Sequence, residues 1–155
     1  MEGVRLSMAI YEVYTDGACR NNQAPGGQLG GWACVFVDGP SYSGGHPSTT
    51  NNRMEMTAAI EALKHTPEGA DVKIYSDSAY VINAFVQNWF SGWERRGWKN
   101  SKGQPVENQD LWRELRSLAQ ARRVQWVKVK GHAGNALNER ADQLAVAAMS
   151  HVPST

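Results

Sequence analysis

Residues 52–77, NRMEMTAAIEALKHTPEGADVKIYSD, carry the change of period that decides the fold class. Met56, Ala59, Ile60 and Leu63 recur at helical spacing, so 52–65 reads as a helix with one apolar stripe. DVKIYSD at 71–77 then reads as a short buried strand. Upstream the pattern is different. AIYEVYT (9–15) is β-prone and ends at Asp16-Gly17, GWACVFVD (31–38) closes at Gly39-Pro40, and SYSGGH (41–46) forms a third short strand. The connections between these runs are short, which favours antiparallel neighbours. Downstream, SAYVINAFVQNWF (78–90) is helix-like, and 91–106 is irregular, with Gly92, Gly97, Gly103 and Pro105. An amphipathic helix follows at about 108–121, turning Leu111, Leu115, Leu118 and Ala119 inward. VQWVKVKG (124–131) is a strand, and a last helix at about 136–149 aligns Leu137, Ala141, Leu144, Ala145 and Ala148. Hairpin strands followed by strands alternating with helices predict an α/β protein. Its mixed sheet would be antiparallel in the first third and parallel at 71–77 and 124–131.

The chain of 155 residues suits one domain, 1–155, with a structured core over about 9–149 and frayed ends at 1–8 and 150–155. Hydrophobic residues at 41% and charged residues at 20% exclude the disordered and fibrous classes. Two cysteines, Cys19 and Cys34, are too few for a disulfide framework and are not spaced like zinc ligands, so two reduced thiols are expected. No stretch approaches a membrane span, and the start lacks the apolar run of a signal peptide. These features predict a soluble, cytoplasmic protein with no membrane partner, and a monomer is expected. The net charge of +1, taken whole, argues against a generic polyanion binder.

Four carboxylates stand out by their places on this skeleton. Asp16 closes the first strand and Asp77 the DVKIYSD strand. If those strands are parallel neighbours, both acids emerge at the carboxyl-end edge where open α/β sheets place ligands. Glu55 falls in the first turn of its helix, and Asp142 lies midway along the last helix, off its apolar stripe. Each alone is explained as readily by a turn, a cap or the helix dipole. Together at one rim they would repel and raise one another's pKa unless cations neutralise them. Hard oxygen donors without a Cys or His cluster fit Mg²⁺ or Mn²⁺ better than Zn²⁺. Such a site suits two-metal phosphoryl chemistry.

Six blocks occur in order: TDGACRNN (15–22), TTNNRMEMTAAIEAL (49–63), SDSAYV (76–81), WERRGWKN (93–100), ENQDLW (107–112) and KGHAGNALNERADQLA (130–145). Together they resemble bacterial-type ribonuclease H of type I, from about Tyr11 to Ala148. The resemblance implies a ribonuclease H-like fold, a five-stranded mixed sheet flanked by helices with a basic protrusion. It implies endonucleolytic cleavage of the RNA strand in RNA–DNA hybrids, leaving 5′-phosphate and 3′-hydroxyl ends. The family's catalytic, metal-binding acids fall on Asp16, Glu55, Asp77 and Asp142. Two Mg²⁺ ions are implied, with Mn²⁺ able to substitute. Asp16 would bridge both ions, Asp142 would complete one site, and Glu55 and Asp77 the other. The family's mobile histidine falls on His132, an aid to proton transfer or product release.

The resemblance also assigns the substrate surface. A hybrid differs from duplex DNA by the 2′-hydroxyls of a wide, shallow minor groove. Cys19, Asn22, Asn51 and Asn52 match groove-contacting positions, and Thr50 and Asn108 match positions that hold a DNA-strand phosphate. NWFSGWERRGWKNSK (88–102) matches the basic protrusion. There Arg95, Arg96 and Lys99 would bind phosphates, while Trp89 and Trp93 belong to the same substrate-binding surface with packing as their main task. Departures from the family pattern are Ala79 in place of a groove-reaching Gln, Glu94 and Glu107 in place of lysines, and Asn135-Ala136-Leu137 in place of His-Pro-Glu. The last bears on the dynamics of His132.

A non-catalytic hybrid-binding module is the alternative, but such a binder gains nothing from four acids facing phosphate. A related nuclease on the same fold is disfavoured by the basic segment and by the NNRMEM and GHAG blocks. The near-zero net charge also resolves along the chain. Trp93 to Lys130 holds ten Lys+Arg and four Asp+Glu, a balance of +6, and the rest carries −5, including all four acids.

Overall fold

The protein is described by a computed structural model over residues 10–20, 28–130 and 135–152. Five strands form one sheet: β1 (Ile10–Cys19), β2 (Gln28–Phe36), β3 (Ser41–Thr49), β4 (Asp71–Ser76) and β5 (Arg123–Lys128), in the order β3-β2-β1-β4-β5. β1–β2 and β2–β3 pair antiparallel, whereas β1–β4 and β4–β5 pair parallel. This is the mixed sheet expected from the sequence. The helices are α1 (Asn51–Lys64), α2 (Ala79–Val86), α3 (Trp89–Arg95), α4 (Gln109–Gln120) and α5 (Ala136–Met149).

α1 packs on β1 and β2 with α4 beside it, and α5 covers the other face over β1, β2 and β3. Alternation along β1 separates the two layers. Val13 joins the core that contains Met56, Ala59, Ile60 and Leu63, and Tyr14 joins Val35 and Ala141 under α5. Met54, Ala58 and Ala62 are buried as well, so α1 is enclosed almost all round rather than along one stripe. Both cysteines are free thiols, Cys34 in the core and Cys19 half-buried.

Several expected boundaries are corrected. β1 does not stop before Asp16-Gly17 but runs to Cys19, because β2 goes on pairing with it, Asp16 against Ala33 and Cys19 against Gly30. A long antiparallel partner overrides a turn-like dipeptide. β3 likewise extends to Thr49 along β2. The helix expected over 78–90 is two helices, split at Asn88, whose φ of 52° lies in the left-handed region that Asn tolerates. The segment expected to be irregular over 91–106 holds the rest of α3 and an ordered turn. In that turn Asn100 Oδ1 accepts N–H bonds from Lys102 and Gln104, and Lys99 bridges Pro105. In α4 the fully buried residues are Trp112 and Leu115, while Leu111, Leu118 and Ala119 are only partly covered. The expected frayed end at 1–8 lies outside the described residues. Of 150–155, Ser150–Val152 continue the last turn of α5 through backbone bonds to Ala147, Ala148 and Met149.

Candidate active site

The parallel ladder sets the first pair of acids. Val13 is level with Ile74 and Tyr14 with Tyr75, and the same offset two rungs on puts Asp16 level with Asp77. Asp77 follows the last residue of β4 in a two-residue link to α2. That link is held by Ser76 Oγ, which accepts the Ser78 N–H at 3.0 Å, and by Ser78 Oγ, which accepts the Val81 N–H at 3.2 Å and caps α2. Glu55 lies in the second turn of α1, not the first, since that helix begins at Asn51. Gly17 brings it to the strand. A Cβ at Gly17 would lie 2.5 Å from the Glu55 nitrogen and 2.6 Å from the Met54 carbonyl carbon, so only glycine admits this approach. Gly31 does the same for α5, where a Cβ would lie 2.1 Å from the Ala145 oxygen. One carboxylate oxygen each from Asp16, Glu55 and Asp77 lies within 4.8 Å of the others. Asp142, on α5, lies near enough for its charge to act on the Asp16 carboxyl. Asp16, Glu55 and Asp77 therefore converge, and Asp142 stands beside this group, acting on it through Asp16.

Their electrostatics follow from this crowding. Asp16 is 4% exposed and Glu55 6% exposed. Burial first, then the charges of Asp77 and Asp142, push the Asp16 carboxyl up to about 7, against a smaller opposing pull from the Gly17 N–H at 2.9 Å. Burial, then Asp16 and Asp77, holds Glu55 well above the usual carboxylate range. Glu55 Oε1 is buried with no hydrogen-bond partner among the described residues. Nor does any Lys or Arg among them form an ion pair with Asp16, Glu55 or Asp77. A buried carboxylate group without a protein cation is costly, and a divalent ion supplies the missing charge. The all-oxygen donor set fits a hard cation.

The remaining site residues that the structure describes occupy the same sheet end or the α3 segment. Cys19, at the end of β1, donates to Gln28 Oε1 at 3.0 Å and approaches the Thr49 carbonyl at 3.8 Å. Thr50 caps α1 by accepting the Arg53 N–H, and Asn51 and Asn52 are exposed in the first turn that follows. Asn108 precedes α4 with a φ of 60° and donates to the Tyr80 hydroxyl at 3.0 Å. Asn22 and His132 lie outside the described residues. Trp89 and Trp93 are half-buried, tilted against one another; Trp93 meets Phe90 edge-on and Trp112 at a tilt, and Trp89 meets Trp112 edge-on, in keeping with a packing task. Arg95, Arg96 and Lys99 are exposed. Arg95 donates to Ser91 Oγ and Arg96 to the Lys99 carbonyl, both at 3.0 Å, and none of the three pairs with a carboxylate among the described residues. Glu94 instead pairs with Arg116, which cancels a charge that would face a polyanion. Gly17, Arg53, Tyr80 and Asp110 take part in shaping this end of the molecule and are not singled out by sequence reasoning. Only their place inside the TDGACRNN, NNRMEM, SDSAYV and ENQDLW blocks marks them.

Comparison with known proteins agrees with this geometry. The family model described as RNase H matches residues 8–150. The chain is 55% identical over 141 residues to a ribonuclease H of Symbiobacterium thermophilum, covering 89% of this chain and 93% of that protein. It is 54% identical over 141 residues to a ribonuclease H of Moorella thermoacetica, covering 89% and 90%. Among solved structures it is similar to LC9-RNase H1, a type 1 RNase H with the type 2 active-site motif. The TM-score is 0.79 and the identity 33%, covering 91% of this chain and 72% of that one. By sequence and fold alike, the chain belongs to the ribonuclease H family, enzymes that cleave the RNA strand of RNA–DNA hybrids.

Proposed function

We propose that this chain, as a single-domain cytoplasmic monomer, hydrolyses the RNA strand of hybrids with Mg²⁺ held by Asp16, Glu55, Asp77 and Asp142, leaving 5′-phosphate and 3′-hydroxyl ends. The observation that carries the metal assignment is the convergence of Asp16, Glu55 and Asp77 within 4.8 Å, with no ion-paired Lys or Arg among the described residues. Bound there, divalent ions supply a nucleophile at neutral pH and stabilise the leaving oxygen.

The chain's own residues do the rest. Asp16 is central because the charges of its neighbours act on it, and it on Glu55, with Glu55 on the α1 side and Asp142 on the α5 side. Metal must displace the protons that burial holds on Asp16 and Glu55, so affinity rises with pH. Thr50 and Asn108 bind a phosphate of the DNA strand. Cys19, Asn22, Asn51 and Asn52 meet the minor groove, where 2′-hydroxyls distinguish a hybrid. Arg95, Arg96 and Lys99 track the backbone. His132 assists proton transfer or product release.

Asp16→Asn tests the assignment. It should abolish cleavage while metal-free binding of a hybrid persists, because the substrate surface is left intact. Near-normal turnover by that variant would contradict the metal site as described.

A further inference from the structure

Arg53 reaches two of the proposed phosphate contacts at once. Its backbone N–H donates to Thr50 Oγ1 at 3.2 Å, and its Nη1 donates to Asn108 Oδ1 at 3.2 Å. The guanidinium is also forked onto Asp110, Nη1 to Oδ1 at 3.0 Å and Nη2 to Oδ2 at 2.8 Å. A bidentate carboxylate fixes the guanidinium plane and cancels its charge.

The consequence falls on Asn108. Arginine only donates, so the Asn108 atom facing it is the oxygen. On the other side, Asn108 Nδ2 donates to the Tyr80 hydroxyl at 3.0 Å, which also accepts the Trp112 Nε1–H at 3.1 Å. Trp112 is fully buried, so this end of the chain of bonds is anchored in the core. A flip of the carboxamide would set its N–H groups against the Arg53 donor and lose that bond, even though the Tyr80 hydroxyl could donate in return. The Asn108 acceptor is committed to Arg53, and one N–H remains for a ligand. Thr50, whose oxygen accepts the Arg53 N–H, likewise keeps its hydroxyl hydrogen. Each residue thus offers a donor, which is what a phosphate oxygen takes. A flipped Asn108 would instead turn its carbonyl toward the anion.

We propose that Arg53 is a positioning residue for the DNA-strand phosphate. Held by Asp110, its guanidinium orients Asn108 as a donor and does not itself bind the anion, while its backbone N–H is the one that Thr50 accepts. This rests on the reading of Thr50 and Asn108 as phosphate contacts.

The test is steady-state cleavage of a hybrid by the full chain across a range of salt concentrations. Arg53→Ala should raise KM on the order of 10-fold, the effect of one misplaced charge-accepting hydrogen bond, with kcat nearly unchanged. The slope of log KM against log salt should stay as in the parent, because no phosphate-neutralising cation has been removed. Asn108→Ala should raise KM similarly, and the double variant should be no worse than Asn108→Ala alone. Arg53→Gln, which keeps a donor for Asn108 Oδ1, should recover part of the loss. Asp110→Asn, which releases the guanidinium, should leave KM equal or higher. A salt slope reduced by about one, additive effects in the double variant, or tighter binding by Asp110→Asn would show a direct phosphate ligand and overturn the proposal. A lowered melting midpoint with KM unchanged in Arg53→Ala and Arg53→Gln would show a structural clamp and also overturn it. If Asn108→Ala raises KM while Arg53→Ala does not, only the role of Arg53 fails. If Asn108→Ala leaves KM unchanged, the phosphate reading of Asn108 fails and takes this proposal with it.

Discussion

Asp16 shows what a buried acid cluster costs before metal arrives. In the native protein its carboxyl titrates at about 7, against 3.8 for an ordinary Asp. Between those values the native state binds more protons than the unfolded chain, so unfolding free energy falls as pH rises. Below that window both states are protonated, and above it both are ionised, with the full cost present. Glu55 is shifted in the same direction. Metal-free protein should therefore melt several degrees higher at about pH 5 than at about pH 8, and Mg²⁺ should raise the melting midpoint far more at the higher pH. Asp16→Asn should melt above the parent in EDTA at about pH 8. A metal-free midpoint independent of pH would rule out this strain among the acids. The four acids are legible in the sequence because each lies in a distinctive block. Their convergence follows from the sequence only once a topology is assumed, since it depends on the β1–β4 offset and on the absence of a side chain at Gly17.

At the scale of elements, the site is the place where β1, the α1 N-terminal half, the β4–α2 link and α5 meet. Gly17 governs the approach of α1 to β1, with α1 backbone atoms 2.5 and 2.6 Å from where a Cβ would stand. Gly17→Ala should destabilise the fold by roughly 1–3 kcal/mol, the usual cost of overpacking. It should also weaken Mg²⁺ binding by moving Glu55 away from Asp16, which calorimetric titration would read. Unchanged affinity would mean that α1 has room to yield. Most elements are legible from period alone: α5 over 136–149 agrees with its expected span, and the parallel strands lie where helices alternate with strands. What sequence patterning misses is set by tertiary partners. β1 continues past Asp16-Gly17 because β2 pairs with it, and 78–90 breaks at a left-handed Asn88 inside an apolar run.

Across the whole molecule, the near-zero net charge conceals two poles, +6 over 93–130 and −5 elsewhere. The negative pole contains the four acids, and the positive one the α3 segment, whose aromatic rings pack while Arg95, Arg96 and Lys99 remain exposed. Replacing those three by Ala should weaken hybrid binding and flatten its salt dependence, by up to about 0.9 in slope for each phosphate that is no longer neutralised. An unchanged slope would remove the α3 segment from the interface. The arrangement as a whole makes sense for a polyanion that arrives with divalent metal. The sharpest test is cleavage of matched RNA–DNA, RNA–RNA and DNA–DNA duplexes by the full chain in Mg²⁺, Mn²⁺ or EDTA. Internal cuts are expected in the RNA strand of the hybrid alone, with either metal and not with EDTA. Cleavage in EDTA, equal cleavage of all three duplexes, or hybrid binding without any cleavage would refute a metal-dependent, hybrid-specific nuclease.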